Sequence, residues 1–135
     1  MLGEKIGEFT GKNTGRRVIP NDEHGPKMEI SMEQAGKLLG VDVVDWGTYE
    51  AVPCGKHLEG KGLGIMMTAE GDKITWVATG VGNFTGKGMG LAWRGMLTLH
   101  TESAKFSKLN GMCVVFEHDI DETGNNSKGR VFEWK

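Results

Sequence analysis

Hydrophobic and polar residues alternate along most of this chain, with the period of two that is typical of β-strands. The segment from Lys27 to Gln34 shows the alternation best, because Met28, Ile30 and Met32 fall on one face and polar residues fall on the other. We therefore predict a strand here with one face toward a core. A helix from Met32 to Leu39 is the alternative for the second half of this segment.

Turn-forming residues separate eight or nine segments of this kind. The first two are expected to form a hairpin around Lys12–Gly15, and the stretch from Pro20 to Pro26 is expected to be a loop. No segment has the period of an amphipathic helix longer than two turns. The predicted strands are Glu4 to Thr10, Gly15 to Ile19, Lys27 to Gln34, Val41 to Val52, His57 to Ala69, Lys73 to Val81, Gly90 to Thr101, Leu109 to Asp121 and Gly129 to Trp134.

The number and order of these segments predict an all-β fold. Strands that follow one another in hairpins favour a closed antiparallel up-and-down β-barrel of about eight strands, because closure leaves no exposed sheet edge. A two-sheet β-sandwich is the alternative. The chain of 135 residues is expected to form a single domain, residues 1–135.

Glycine makes up 22 of the 135 residues, about twice its usual share. Gly60, Gly62 and Gly64 fall on one face of a predicted strand and leave that face without side chains. We expect the strand to bend strongly there or to accept a bulky ring across the glycines, and closure of a small barrel requires both.

Charge and composition argue against several classes of protein. The net charge is −2, with 16 basic and 18 acidic residues and no basic cluster, so no nucleic-acid partner is expected. The sequence shows no apolar segment of signal-peptide or transmembrane length. We therefore expect a cytoplasmic protein without a membrane partner, in which Cys54 and Cys113 are free thiols.

Two short motifs resemble ligand loops but lack the required residues. In the glycine-rich segment from Gly80 to Gly88, glycine follows the lysine where a phosphate-binding loop needs Ser or Thr. The segment from Asp119 to Gly124 begins like a calcium loop, but the twelfth position is Arg130 and not the bidentate Glu. We predict that both segments form hairpin turns.

Cys54, His57, Cys113 and His118 are residue types that bind zinc. Residues five apart in a regular strand point to opposite faces, so Cys113 and His118 cannot both reach one ion without a bulge. We therefore expect no metal ion bound by these four residues, and no cofactor.

Polar and aromatic residues within the apolar strands are the candidates for a binding site. Residues that point into an eight-stranded barrel either fill its core or surround one small ligand. Arg94 and Glu117 rank highest, because neighbouring strands could bring them together to pair or to bind the polar end of a ligand. A place in the core or on the wet outer face is the alternative for each candidate. The predicted ligand-binding residues are Tyr49, Trp76, Trp93, Arg94, His100, Phe116 and Glu117.

A series of motifs also occurs in a particular order in the second half of the chain. They are Gly-Val-Gly-Asn-Phe-Thr-Gly-Lys-Gly from Gly80, Ala-Trp-Arg-Gly from Ala92, Lys-Leu-Asn-Gly from Lys108, Val-Phe-Glu from Val115 and Phe-Glu-Trp-Lys from Phe132. From about Gly36 to Lys135, the chain resembles small bacterial and archaeal proteins with an allene oxide cyclase-like, calycin-type barrel. The resemblance implies this barrel but no activity, because no residue matches the site of allene oxide cyclases.

These observations support three hypotheses for function. The first is a barrel that binds a small apolar or amphipathic molecule. The second is a cofactor-free isomerase or cyclase, in which Glu117 is the acid or base and Arg94 stabilises negative charge. The third is a structural homo-oligomer with a filled barrel and an apolar outer patch. We expect the protein to be a homo-oligomer.

Overall fold

A computed structural model, which describes residues 1–21 and 25–135, shows a closed barrel of eight antiparallel strands. Each strand pairs with the next one in the chain, and β8 pairs with β1. The predicted all-β, up-and-down barrel is confirmed, and the alternative of a sandwich is wrong. The strands are β1 (Leu2–Ile19), β2 (Lys27–Leu38), β3 (Val41–Cys54), β4 (His57–Met67), β5 (Lys73–Phe84), β6 (Leu91–Thr101), β7 (Val114–Ile120) and β8 (Asn126–Trp134).

The first strand differs from the prediction. The sequence predicts a hairpin around Lys12–Gly15, whereas β1 continues without reversal from Leu2 to Ile19. Asn13 and Gly15 instead mark a shift of register against β2. A bulge of this kind bends a strand and uses the same residue types as a turn. Of the predicted loop from Pro20 to Pro26, residues 22–24 lie outside the described residues.

A two-residue turn joins β2 to β3. Leu38 pairs with Val41, and the two residues between them, Leu39 and Gly40, have φ values of 51° and 78°. Two successive positive φ angles match the twist of a tight hairpin. The chain therefore remains a strand up to Leu38, and the helix considered from Met32 to Leu39 does not form.

The two segments that resembled ligand loops lie at hairpins, as predicted. Between β7 and β8, the Asp121 carboxylate accepts hydrogen bonds from Thr123 Oγ1 at 2.6 Å and from Asn126 Nδ2 at 2.8 Å. These bonds lower the pKa of Asp121 to about 2. The glycine-rich segment from Gly80 to Gly88 begins inside β5 and turns after Phe84.

A short 3₁₀-helix, η1 (Ala104–Leu109), closes one end of the barrel. Phe106 and Leu109 are 1% and 0% exposed and pack into the barrel core. Asn110 fixes the end of η1, because its side chain bonds both the N–H and the carbonyl of Thr101, at 2.9 and 3.0 Å. The strand predicted from Leu109 to Asp121 therefore begins later, at Val114.

Two clusters of apolar side chains occupy most of the barrel interior. The larger cluster contains the residues from η1 together with Phe9, Leu38 and Trp76. The smaller one contains Ile30, Ala51, Trp93 and Ile120. Phe116 packs against both clusters, and the space that they leave between them forms the candidate site.

Candidate ligand-binding site

Glycines make room for two indole rings inside the barrel. A Cβ atom at Gly60 would lie only 2.8 Å from Trp93, and one at Gly47 only 2.7 Å from Trp76. A side chain at Gly64 would overlap Trp76 directly. The prediction that a bulky ring crosses the glycine face of β4 is therefore confirmed.

Asp45 of β3 is a carboxylate with 0% exposure inside the barrel. Trp76 Nε1 donates a hydrogen bond to its Oδ1 at 2.8 Å, and Gln34 Nε2 donates one to its Oδ2 at 2.7 Å. Burial raises the pKa of Asp45, although the two hydrogen bonds act in the opposite direction. The three side chains form a connected polar group from β2, β3 and β5.

His118 of β7 forms the other polar part of the interior. Its ring stands edge-on to Tyr49, with 6.3 Å between the ring centroids, and Tyr49 is in turn 5.7 Å from Trp93. Burial lowers the pKa of His118 to about 4, although Asp119 acts the other way. Burial also raises the pKa of Tyr49 to about 12. Both rings are therefore neutral at neutral pH.

A cavity of about 90 Å³ lies among these side chains. Three buried atoms of its lining residues, Gln34 Oε1, Trp93 Nε1 and His118 Nε2, have no hydrogen-bond partner among the described residues. An unsatisfied buried donor or acceptor costs about 1–3 kcal/mol, so each would gain from a partner inside the cavity. The apolar part of the wall consists of Phe9, Met32, Met66, Ala78, Leu97, Phe116 and Val131.

Five of the seven predicted ligand-binding residues line this cavity, namely Tyr49, Trp76, Trp93, Phe116 and Glu117. They come from β3, β5, β6 and β7, so only barrel closure brings them together. That they contact a ligand remains a prediction.

Arg94, His100 and Glu117 do not point into the barrel. The side chains of Arg94 and His100 are 49% and 68% exposed, because they alternate along β6 with inward residues such as Trp93. Glu117, 36% exposed, alternates in the same way with Phe116 on β7. The expectation that Arg94 and His100 line the interior is therefore wrong. Glu117 is among the residues that line the cavity, but its carboxylate pairs with Arg130.

Arg94 and Glu117 belong to an ionic network on the outer face of β6, β7 and β8. They are cross-strand partners, with 3.8 Å between Arg94 Nε and Glu117 Oε2. Asp119 lies 2.8 Å from Arg94 Nη1 and 3.1 Å from Arg130 Nη2, and Arg130 Nε lies 2.8 Å from Glu117 Oε1. Burial raises the pKa of Asp119, but the two guanidinium groups outweigh it and bring the pKa below its usual value.

Gln34 and Asp45 are cavity residues that the sequence did not predict, and His118 was considered only as a zinc ligand. Each of these polar residues occupies a position where the alternation calls for an apolar one. Gln34 follows Met32 on the inward face of β2, Asp45 shares the face of Val43, and His118 follows Phe116. A polar residue on an apolar face is the signal that could have identified all three.

The outer face of β3, β4 and β5 carries a cluster of exposed apolar side chains, which we name the β3–β5 patch. Cross-strand pairing brings Trp46 beside Ile65 and Leu63 beside Val77. The members are Val44, Trp46, Leu63, Ile65, Met67 and Val77, each 36–63% exposed.

Comparison with solved structures finds the same fold in proteins of very different sequence. A protein with unknown function from Clostridium acetobutylicum has a TM-score of 0.82 at 13% identity, covering 98% of each chain. A conserved protein of unknown function from Rhodopseudomonas palustris has a TM-score of 0.82 at 11% identity, covering 98% of this chain and 97% of the other. A beta-barrel like protein from Acinetobacter baumannii has a TM-score of 0.82 at 13% identity, covering 100% and 96%.

These similarities show the fold alone, because every identity is low. No protein-family model matches the chain, and no curated protein matches it. In the described part of the chain, no helix is long and apolar enough to cross a membrane.

Proposed function

We propose that this protein binds a small, uncharged, amphipathic molecule inside its barrel. The observation that carries the proposal is a set of three buried atoms, from Gln34, Trp93 and His118, that have no hydrogen-bond partner in residues 1–21 and 25–135 and belong to residues that line one cavity. The proposal includes the cytoplasmic location expected from the sequence, where Cys54 and Cys113 stay reduced.

The size of the cavity limits the ligand. Its volume of about 90 Å³ corresponds to roughly three water molecules and is smaller than a cavity of roughly 150 Å³ that admits benzene. A ligand of a few non-hydrogen atoms fits the space as it stands. A molecule with one ring would need small movements of flexible wall residues such as Met32 and Met66.

The polar groups limit the chemistry of the ligand. Gln34 Oε1 accepts a hydrogen bond and Trp93 Nε1 donates one, while His118 Nε2 does either according to its tautomer. Because His118 is neutral, an anionic ligand would find no opposite charge among these groups. Both oxygens of Asp45 already accept hydrogen bonds from Trp76 and Gln34, so neither is free to replace the hydration of a cation. A neutral molecule with one hydroxyl or amide group on an apolar body satisfies these conditions.

Native mass spectrometry of the protein as purified, followed by NMR titration with phenol and with benzene, tests the proposal. A retained ligand appears as extra mass that is lost on denaturation. Phenol should shift the indole N–H resonance of Trp93 and the side-chain amide of Gln34. Benzene lacks the hydroxyl group and should bind more weakly.

Two variants locate the binding. His118→Phe should weaken phenol binding more than benzene binding, whereas His100→Gln on the outer face should change neither. If the purified protein carries no extra mass and neither probe moves the cavity resonances, the cavity holds only water and the proposal is wrong. The isomerase or cyclase hypothesis is not retained in its original form, because it needed Glu117 and Arg94 inside the barrel.

The β3–β5 patch supports a second proposal, that the protein associates with a second copy of itself. Its six side chains expose on the order of 500 Å², near the upper end of the range for patches on monomers. With the polar residues around it, such as Thr48 and Thr75, the patch approaches the roughly 800 Å² per partner of a standard interface. A twofold contact between identical patches would bury it on both copies.

Sedimentation equilibrium tests this second proposal. The unmodified protein should be a dimer, and Leu63→Glu should make it a monomer, because a buried, unpaired carboxylate would face the apolar patch of the partner. Val18→Glu is the matched control, because Val18 is 65% exposed on β1, away from the patch. A monomeric unmodified protein, or an equal effect of both variants, would overturn the proposal.

A further inference from the structure

Three side chains with metal-binding groups meet on the hairpin between β3 and β4. Cys54 and His57 pair directly across its two-residue turn, and Glu59 follows two positions later on the same outer face. One ligand atom from each residue lies within 4.8 Å of the other two. His57 Nε2 and Glu59 Oε2 are 3.2 Å apart.

This set of donors suits a borderline divalent ion. Zinc binds thiolate, imidazole and carboxylate groups, and tetrahedral bonds of the usual lengths hold the ligand atoms roughly 3.4–3.6 Å apart. His57 Nε2 and Glu59 Oε2 are already near this spacing at 3.2 Å, and the Cys54 sulfur lies within 4.8 Å of both ligand atoms, so rotations of three partly exposed side chains complete the site. We propose that Cys54, His57 and Glu59 bind a zinc ion, with the fourth coordination position open to solvent.

The backbone around the cluster supports a preformed site. Gly55 has a φ of 69°, which allows the tight turn that sets Cys54 opposite His57. Both strands continue as regular paired strands away from the turn, and ligands on rigid elements lose little freedom on binding. Cys54 and Glu59 also line an open groove on the outer surface, so an ion can reach them without any opening of the barrel.

This cluster differs from the four-residue set considered in the sequence analysis. His118 lines the interior cavity. Cys113 precedes the start of β7, and its carbonyl accepts a hydrogen bond from the N–H of Trp134, at the end of the barrel opposite to the β3–β4 turn. The proposed ion therefore uses Glu59 as its third ligand, and its binding does not depend on the interior cavity.

Titration of tag-free, chelator-treated protein with zinc and with cobalt tests the inference. We expect one zinc ion per chain by calorimetry, and thiolate-to-metal charge transfer with tetrahedral absorption bands for cobalt. Coordination replaces the Cys54 proton, which passes to the solvent, so binding should weaken as the pH falls. Cys54→Ser, His57→Gln and Glu59→Gln should each lower the affinity by at least about tenfold.

Two control variants separate this site from adventitious binding. Cys113→Ser removes the other free thiol and should leave the affinity unchanged. His100→Gln alters a similar His–Glu pair, with His100 Nε2 3.0 Å from Glu102 Oε1, and should also have no effect. Absence of stoichiometric binding, absence of the charge-transfer band, or equal losses in the control variants would overturn the inference.

Discussion

Trp76 Nε1 donates a hydrogen bond of 2.8 Å to Asp45 Oδ1 across the interior of the barrel. The indole comes from β5 and the carboxylate from β3, and the strand between them contributes Gly64 beneath the ring. The bond therefore fixes the orientation of the Trp76 ring, which fills the space that side chains on β4 would otherwise occupy. The packing of the ring over Gly64 and its hydrogen bond to Asp45 thus require the same ring orientation.

The first prediction concerns the charge of Asp45. Because burial raises its pKa in the folded state, Asp45 favours folding most below the unfolded pKa of 3.8, and this contribution is lost as the pH rises through the folded pKa. In Asp45→Asn, urea denaturation should show a free energy of unfolding that rises relative to the unmodified protein as the pH increases above the unfolded pKa of 3.8. Parallel pH profiles for the two proteins would contradict the prediction.

The second prediction concerns His118, whose contribution to stability changes with pH in the opposite direction to that of Asp45. A histidine with a depressed folded pKa stabilises the protein above its unfolded pKa of 6.5, and this contribution is lost as the pH falls toward the folded pKa of about 4. The shift corresponds to about 3 kcal/mol. In His118→Phe, the free energy of unfolding measured by urea denaturation should no longer fall by this amount as the pH is lowered from 6.5 toward 4. His100→Gln, on the outer face, should retain this fall, and an equal effect of both variants would contradict the assignment.

The third prediction concerns the close contact between glycine and indole. Gly64→Ala should lower the free energy of unfolding by about 1–3 kcal/mol or more, as expected for overpacking of a rigid core. Gly15→Ala is the matched control, because a Cβ atom there meets nothing within 4 Å. Urea denaturation followed by tryptophan fluorescence measures both variants.

A double variant checks the cause of this loss. Trp76→Leu removes the indole atoms that a Cβ atom at Gly64 would overlap. Gly64→Ala should therefore cost much less in the Trp76→Leu background than in the unmodified protein. Additive losses would show that the contact with Trp76 is not the cause.

The strand alternation made most of the fold predictable from the sequence. The same alternation could also have corrected the site, because adjacent residues in a strand point to opposite faces. Trp93 and Arg94 cannot both point inward, and neither can Phe116 and Glu117. In each pair the aromatic side chain points inward and the charged one points outward. On the outer face, Arg94 and Glu117 have both solvent and ionic partners.

Other features depend on contacts that the sequence does not reveal. Nothing local distinguishes the bulge at Asn13 and Gly15 from a turn, because pairing with β2 and β8 decides that β1 continues. The 3₁₀-helix forms because Phe106 and Leu109 can bury themselves at an open end of the barrel, which exists only after closure. The three unpartnered polar atoms likewise share a cavity only in the closed barrel.

The fourth prediction concerns the ionic network on the outer face. Arg130 pairs with both Glu117 and Asp119 and has a side chain that is 30% exposed. Arg130→Met should lower the free energy of unfolding by about 1 kcal/mol at low salt and by less at high salt, because partly exposed ion pairs are screened. Lys37→Met is the control, because its pair with Asp42 is 65% and 86% exposed and should contribute almost nothing. Equal losses of unfolding free energy in both variants at low salt would contradict the prediction. So would a loss in Arg130→Met that does not depend on salt, because the charges of the network would then not stabilise the pairing of β7 with β8.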